Sequence, residues 1–348
     1  VCDMVPLNGA NRLFVRAGLA QMARGNNPGI VALCATSGIE TAPGLNHLGF
    51  SLGPRINAGS RVHKSWLGAE LLSAQAYDQA HDIAWLLHDC NEQRKSMQNK
   101  MYKDAVGLIE KQGRADDPAI IVECPEGHTG LSGLVAGQIK DRFNKPACVI
   151  VDCQRPDGTW EARGSGRSVT GVDIAAIFQA ARACGLLSHG GGHAMAGGFT
   201  LAYEMLEDFR AFVCEQVRTQ LAGAVPENTL EIDAVLSARG VQPGLARQIQ
   251  EQIGPFGATN PEPVFVLPGV RVRTADIVGE NHLRLHISDP EGGAAVKAMG
   301  FRMADTAIGR QLLSRNCGPV HIAGHLKHDT WNGRERAEIH IRDVATAS

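Results

Sequence analysis

The densest run of residues able to do chemistry is Gly190-Gly-Gly-His193-Ala-Met-Ala-Gly-Gly198. Successive glycines let backbone amides approach an anion, and a helix following them would aim its positive N-terminal end at the same place. Gly191 and Gly192 would offer the amides, and His193 would stand beside a phosphate or a leaving group. A tight turn around a satisfied histidine accounts for the same letters. His189 and His193 are four apart, a metal-pair spacing on a helix, but the three glycines between them argue against a helix there.

Three further clusters have the same double reading. Gly164-Ser165-Gly166-Arg167-Ser168 is a small-residue loop with a guanidinium fork suited to phosphate, or an exposed turn. Pro125-Glu126-Gly127-His128-Thr129-Gly130 leads into a helix, with Thr129 as its expected N-cap. Gly53-Pro-Arg55-Ile-Asn57-Ala-Gly-Ser60-Arg61 is turn-rich and holds two arginines, for which plain solvation is the usual fate. Each bland reading stands alone; the co-occurrence of all four in this order weakens them jointly. A Ser/His hydrolase is disfavoured, because Arg163 and Leu134 break the Gly-x-Ser-x-Gly elbow around Ser165 and Ser132.

The elements that must hold these clusters are those of an α/β protein. From Leu67 to Lys111 there is no proline, and apolar residues recur near helical spacing, which predicts a short helix and then a long connecting one. Ala119-Ile-Ile-Val-Glu and Ala147-Cys-Val-Ile-Val read as strands around a helix from Leu131 to Phe143, ending at Asn144-Lys-Pro. Residues 172–184 and 204–222 read as helices on either side of a glycine-rich turn. After residue 225 the pattern changes to short strands, among them Val270-Arg-Val-Arg, Leu283-Arg-Leu-His-Ile, Val320-His-Ile-Ala-Gly-His-Leu and Ala337-Glu-Ile-His-Ile, whose edges a small β-barrel would close.

Cys2-Asp3-Met-Val-Pro-Leu, Ile56-Asn-Ala-Gly-Ser-Arg61, Glu126-Gly-His-Thr-Gly130, Gly164-Ser-Gly-Arg-Ser168 and the Gly190–Gly198 run together resemble the RecJ family of the DHH/DHHA1 phosphoesterases. Gly254-Pro-Phe-Gly-Ala-Thr-Asn-Pro-Glu-Pro-Val-Phe265 and Thr330-Trp-Asn-Gly-Arg-Glu335 resemble that family's OB-fold domain. The resemblance implies that 1–66 end a DHH catalytic domain, 67–114 connect, 115–224 form a DHHA1 domain and 225–348 an OB-like domain. It implies a 5′→3′ single-strand DNA exonuclease of repair and recombination, using two divalent ions, Mn²⁺ or Mg²⁺.

Carried over by position, Asp3 is a metal ligand and, with His193, catalytic, while Asn57, Arg61, His128, Ser165, Arg167, Gly191, Gly192 and Trp331 bind substrate. The family's other aspartate motifs would precede Val1, leaving an incomplete metal site and a chain that binds without cutting. Ser60 stands where glycine is usual and His189 where lysine is common; Ser60 would strain a loop that needs a positive φ. The expected partners are single-stranded DNA, single-strand-binding protein and repair helicases, around a monomer. A non-catalytic single-strand-binding module, or a DHH/DHHA1 oligoribonuclease or cyclic-dinucleotide phosphodiesterase, are the alternatives; the latter generally lack the extension after residue 225.

Composition bounds the rest. With 348 residues, 44% of them hydrophobic, the chain can fill two or three cores. Nine scattered cysteines without a CxxC pair read as free thiols. A net charge of −2 means that nucleic acid must be gripped by local arginines and amides rather than by a basic surface. No apolar run approaches the ~20 residues of a membrane span, which places the expected protein in the cytoplasm.

Overall fold

The computed structural model describes residues 2, 5–154, 158, 160–222, 229–314, 317–331 and 334–347, without the side chains of 330, 331 and 334. They divide into two compact units, Met22–Asn228, and Val1–Gln21 with Thr229–Ser348. Helix α1 (Gly9–Met22) lies almost wholly in the discontinuous unit.

In Met22–Asn228, α2 (Pro28–Thr36) starts on Asn27, whose side chain accepts from Ile30 N, with Pro28 in the first turn where its missing N–H is harmless. α3 (Leu45–His47) runs through a π-turn, Leu48–Leu52, into α4 (Gly53–Val62). The segment expected to be turn-rich is therefore helical: Pro54 sits in the first turn, and Ser60 bonds Asn57 O at 2.9 Å with no positive φ to strain it. α5 (Leu67–Ser73) and α6 (Tyr77–Lys111) follow as expected. The 35 residues of α6 reach about 52 Å. Its first half buries Ala80, Ile83, Ala84 and Leu87 against α2, α4 and α5, and its second half buries Met101, Ala105 and Ile109 in a different core.

That second core lies on one face of a five-stranded sheet. β1 (Ile120–Glu123) runs parallel to β2 (Ala147–Gln154), with α7 (Thr129–Phe143) crossing between them. Asn144 ends α7 in the left-handed conformation at φ 50°, one of the few residues besides glycine that tolerates it. β3 (Trp160–Arg167), α8 (Ile174–Ala183), β4 (His189–His193), β5 (Ala196–Leu201) and α9 (Leu206–Leu221) complete the layer in the strand order β1-β2-β3-β5-β4. Alternation decides the faces: Ile120, Val122, Ala147, Val149 and Val151 pack on α6 and α7, while Ile121, Cys148 and Ile150 pack with the α8 and α9 residues Phe178, Phe209 and Val213. Phe178, Phe199 and Phe209 form a triangle, with ring centroids 4.8 to 6.2 Å apart.

The other unit is a sheet closed on itself. β6 (Ala234–Val235), α10 (Pro243–Gln248), β7 (Phe265–Val278), β8 (His282–Ser288), β9 (Val296–Gly300), α11 (Ala307–Leu313), β10 (Val320–Trp331) and β11 (Arg334–Thr346) follow in order. β10 pairs with both β11 and β7, so the ladder β10-β11-β9-β8-β7 returns to its start and leaves few open edges. Phe256 and Phe265 pack against its core. The N-terminal segment is bonded to this unit. Leu7 N donates to Ala258 O at 2.7 Å, and Arg16 Nη2 donates to Gly254 O at 2.7 Å, satisfying a carbonyl just past a helical turn. No described helix is long and apolar enough to cross a membrane, and the cysteines from Cys34 to Cys317 are free thiols.

Candidate nucleic-acid interface

The clusters read as loops are strands. Gly164-Ser-Gly-Arg lies in β3 and Gly190-Gly-Gly-His lies in β4, which turns into β5 and not into a helix. The anion cradle at a helix N-terminus therefore does not exist there. Pairing is the reason: β5 offers backbone partners on both edges, taking up β3 on one side and β4 on the other.

Register then brings the motifs together. Arg167 pairs with Ala196, which pairs with His193; Ser165 pairs with Gly198, which pairs with Gly191. In-register neighbours share a face, so Arg167, Ser165, Gly198, Gly191, His193 and His189 all lie on the α7 side of the sheet. α7 covers β2 and β3 there. Gly198, His189 and His193 are exposed. A Cβ on Gly191 would meet nothing within 4 Å, and one on Gly198 only a carbonyl oxygen at 3.7 Å, which leaves an open floor beside Ser165. His189 and His193 are four residues apart on one strand, about 13 Å, too far to share a metal ion.

The opposite face explains the other glycines. A Cβ on Gly164 would lie 2.1 Å from the Phe199 ring, and one on Gly166 2.7 Å from the Phe178 ring. Half of the glycine motif is thus a seat for the phenylalanine triangle. Gly192 is held at φ 147° with Ala196 O 2.3 Å from where its Cβ would be, so it shapes the hairpin.

The start of α7 forms the wall of this floor. Its N-cap is His128, not Thr129: His128 Nδ1 accepts from Gly130 N at 3.1 Å, and Thr129 is already helical. His128 also lines a cleft with Met97 and Met101 of α6 and Leu131 of α7. Arg61, from α4, donates through Nη1 to Gly130 O at 2.9 Å. Asn57 is exposed one turn earlier on α4. The Arg167 guanidinium lies on α7 at Gly133, where a Cβ would stand 2.7 Å from Nη2, and its Nη1 donates to Gly166 O at 2.8 Å. Ser132 and Ser165 join α7 to β3 with hydroxyl oxygens 2.9 Å apart.

Charge is left over. Among the described residues neither Arg61 nor Arg167 has a carboxylate partner, since each donates only to a backbone oxygen. Burial, and then the like charge of Arg61, pushes the Arg167 guanidinium below its ordinary value. It remains charged. A half-buried, unneutralised pair of guanidinium groups beside an open floor is suited to phosphate oxygens. In the closed-sheet unit several cations are paired with acids: Arg284 with Asp276, Lys297 with Glu338 and Lys327 with Glu262.

Asp3 lies outside the described residues, as does the side chain of Trp331. β10 and β11 place Trp331 opposite Arg334 in the ladder, with 332 and 333 outside the described residues. Among the described residues no three His, Cys, Asp or Glu side chains converge to hold a metal ion, so they do not fit the two-ion centre that the family resemblance implies. Gly133, Ser132 and Gly198 went unread as site residues. The alternation of Ser165 and Arg167 with Gly164 and Gly166 was the period-two signal that could have exposed β3.

Two family models match, the DHHA1 domain over residues 116–219 and the RecJ OB domain over residues 232–343. The single-stranded-DNA-specific exonuclease RecJ of Dickeya dadantii is 32% identical over 351 residues, covering 99% of this chain and 59% of that protein. The Bacillus subtilis protein of the same name is 28% identical and matches 100% of this chain and 43% of its own length. The chain thus spans about half the length of these relatives. A crystal structure of RecJ with Mg²⁺ from Thermus thermophilus superposes with a TM-score of 0.77 at 25% identity, covering 100% of this chain and 51% of that one. A second, with Mn²⁺, gives 0.78. With both domain models matched in order and the similarity running its whole length, the chain belongs to the RecJ family.

Proposed function

We propose that this chain is the strand-gripping part of a metal-dependent 5′→3′ exonuclease acting on single-stranded DNA in repair and recombination. The observation that carries the reading is the unneutralised Arg61 and Arg167 pair beside the open Gly198–Gly191 floor. In this reading one strand lies along the floor. Arg61 and Arg167 hold its phosphates, Asn57, His128 and the amides of Gly191 and Gly192 border it, and His193 faces the reacting end. The absence of bulk on the floor suits an extended backbone, and duplex DNA would need more width than one strand. Trp331 supplies a stacking ring in the OB-like unit.

The relatives' crystal structures contain Mg²⁺ or Mn²⁺. Two such ions would activate water and relieve charge on the leaving oxygen, and Asp3 is the residue of this chain offered as a ligand. Residues 1–66 close a DHH domain in this reading, 115–224 form the DHHA1 domain, and single-strand-binding protein and helicases deliver substrate to a monomer in the cytoplasm. In this reading the pure chain binds single strands and does not cut them. A second reading is a non-catalytic binding module in which the same face grips a strand.

Binding to single-stranded and duplex DNA across a salt series tests the grip. Tight, salt-sensitive, single-strand-selective binding that Arg167→Ala weakens is expected; equal binding to duplex, or indifference to Arg167→Ala, would sink it. Mn²⁺-dependent cleavage by the pure chain would overturn the division of labour.

A further inference from the structure

Arg94, on α6, has no part in the reading above. It is half-buried, and its Nη1 donates to Gln98 Oε1 at 2.8 Å while its Nη2 donates to Asn91 Oδ1 at 2.6 Å. Gln98 is itself fixed to α7, with its Nε2 donating to Gln138 Oε1 at 3.0 Å. Asn91 is 1% exposed. All of these acceptors are neutral. Glu92, the acid whose charge reaches Arg94, is bonded to Lys95 at 2.8 Å. Burial, and then the like charge of Arg61, pushes the Arg94 guanidinium down, as happens to Arg167.

Arg61 therefore lies within electrostatic reach of both Arg94 and Arg167, and all three are seated against α7, Arg61 at Gly130, Arg167 at Gly133 and Arg94 through the Gln98–Gln138 bridge. Arg61 rests on Gly130 O, Arg167 on Gly166 O, and Arg94 on two side-chain amides. Neutral oxygens fix their geometry and leave their charge intact. Without a ligand the cluster is unfavourable, since like charges repel and partial burial removes hydration. A structural cluster would be expected to include a carboxylate, and among the described residues none is bonded to any of the three. The missing partner is an anion, and one phosphodiester group carries a single negative charge.

We propose that Arg94 is a further phosphate-binding residue of this interface, and that Arg61, Arg94 and Arg167 each take a phosphate of one strand. The inference rests on the reading of this face as a nucleic-acid interface. Gln98 and Gln138 are positioning residues, holding the Arg94 fork through a bridge from α6 to α7.

The experiment measures the affinity of the full chain for a labelled oligothymidylate across a salt series, with the melting temperature of each free variant alongside. Arg94→Gln is expected to flatten the slope of log K against log salt by about 0.7, one single-strand phosphate contact, and to hold or raise the melting temperature because repulsion is relieved. Gln98→Glu, which sets a carboxylate on Arg94, should flatten the slope similarly without removing the arginine. Arg94→Lys should keep it. An Arg94→Gln chain with the parent slope and affinity, while Arg61→Ala and Arg167→Ala weaken binding, overturns the inference and leaves the interface standing. An Arg94→Gln chain that melts early, together with an Arg94→Lys chain that loses slope, assigns Arg94 to structure and likewise overturns it. A flat salt response of the parent chain overturns the interface, and this inference with it.

Discussion

The hydroxyl of Ser165 is bonded to that of Ser132 at 2.9 Å, and it must be the donor. Ser132 gives its own proton to Thr129 O, also at 2.9 Å, and a hydroxyl has only one to give. Ser165 thus turns lone pairs, not a proton, toward the floor. To grip a phosphate it must rotate and release Ser132.

Ser132→Ala should therefore free the Ser165 proton. Single-strand binding at least as tight as in the parent is expected, with a loss of about 1 kcal/mol in denaturant stability for the missing hydrogen bonds. Weaker binding by Ser132→Ala would show that the two hydroxyls act on the strand as a unit.

Gly198→Val and Gly192→Ala separate the two kinds of glycine in the motif. Gly198 lies in an extended strand with only Gly164 O near its Cβ position, so valine should fold with stability within about 1 kcal/mol of the parent, yet fill the floor and abolish binding. Gly192→Ala meets Ala196 O and a φ of 147°, and should melt far below the parent whatever its affinity. Thermal melts paired with binding titrations distinguish them.

Gly133→Ala should split stability from grip in the opposite sense. A helix-interior alanine gains up to about 1 kcal/mol over glycine, but this one would stand 2.7 Å from Arg167 Nη2 and displace the flexible guanidinium. A higher melting temperature with a lower affinity is expected. Unchanged affinity would mean that the guanidinium's seat on α7 does not matter.

The closed-sheet unit should weaken in acid through Glu338. Burial raises this carboxyl, but hydrogen bonds from His340 and Lys297 outweigh it and the net shift is downward. Its folded pKa lies below its unfolded one, so its contribution is full above about pH 4.3 and is lost as pH falls through the folded value. Glu338→Gln should be less stable at neutral pH, by up to about 3 kcal/mol with Lys297 left unpaired, and should show a shallower decline in acid. Denaturation midpoints from pH 7 to 3 read this directly; parallel curves would remove Glu338 from the account.

Much was legible before folding was considered. The 67–111 helices, the β1-α7-β2 unit and the strands after 225 followed from periods of 3.6 and 2, which depend on neighbours a few residues away. The combination of motifs identified the family for the same reason, since each is a local string. Hydrophobic alternation sorted β1 and β2 onto two faces, but β4, with three glycines in five residues, has too few side chains for alternation to be heard.

What only tertiary structure decided is the meaning of the glycines and the partners of the arginines. A glycine-rich string is equally at home in a turn or a strand until a neighbouring strand takes up its backbone groups, as β5 does for both Gly164–Arg167 and Gly190–His193. His128 rather than Thr129 capped α7 because the geometry of the chain entering the helix chose the acceptor. That Arg61, Arg94 and Arg167 gather against α7 with no carboxylate bonded to any of them among the described residues is a relation among residues up to 106 positions apart. Sequence fixes which side chains carry charge; only packing fixes which charges remain unanswered.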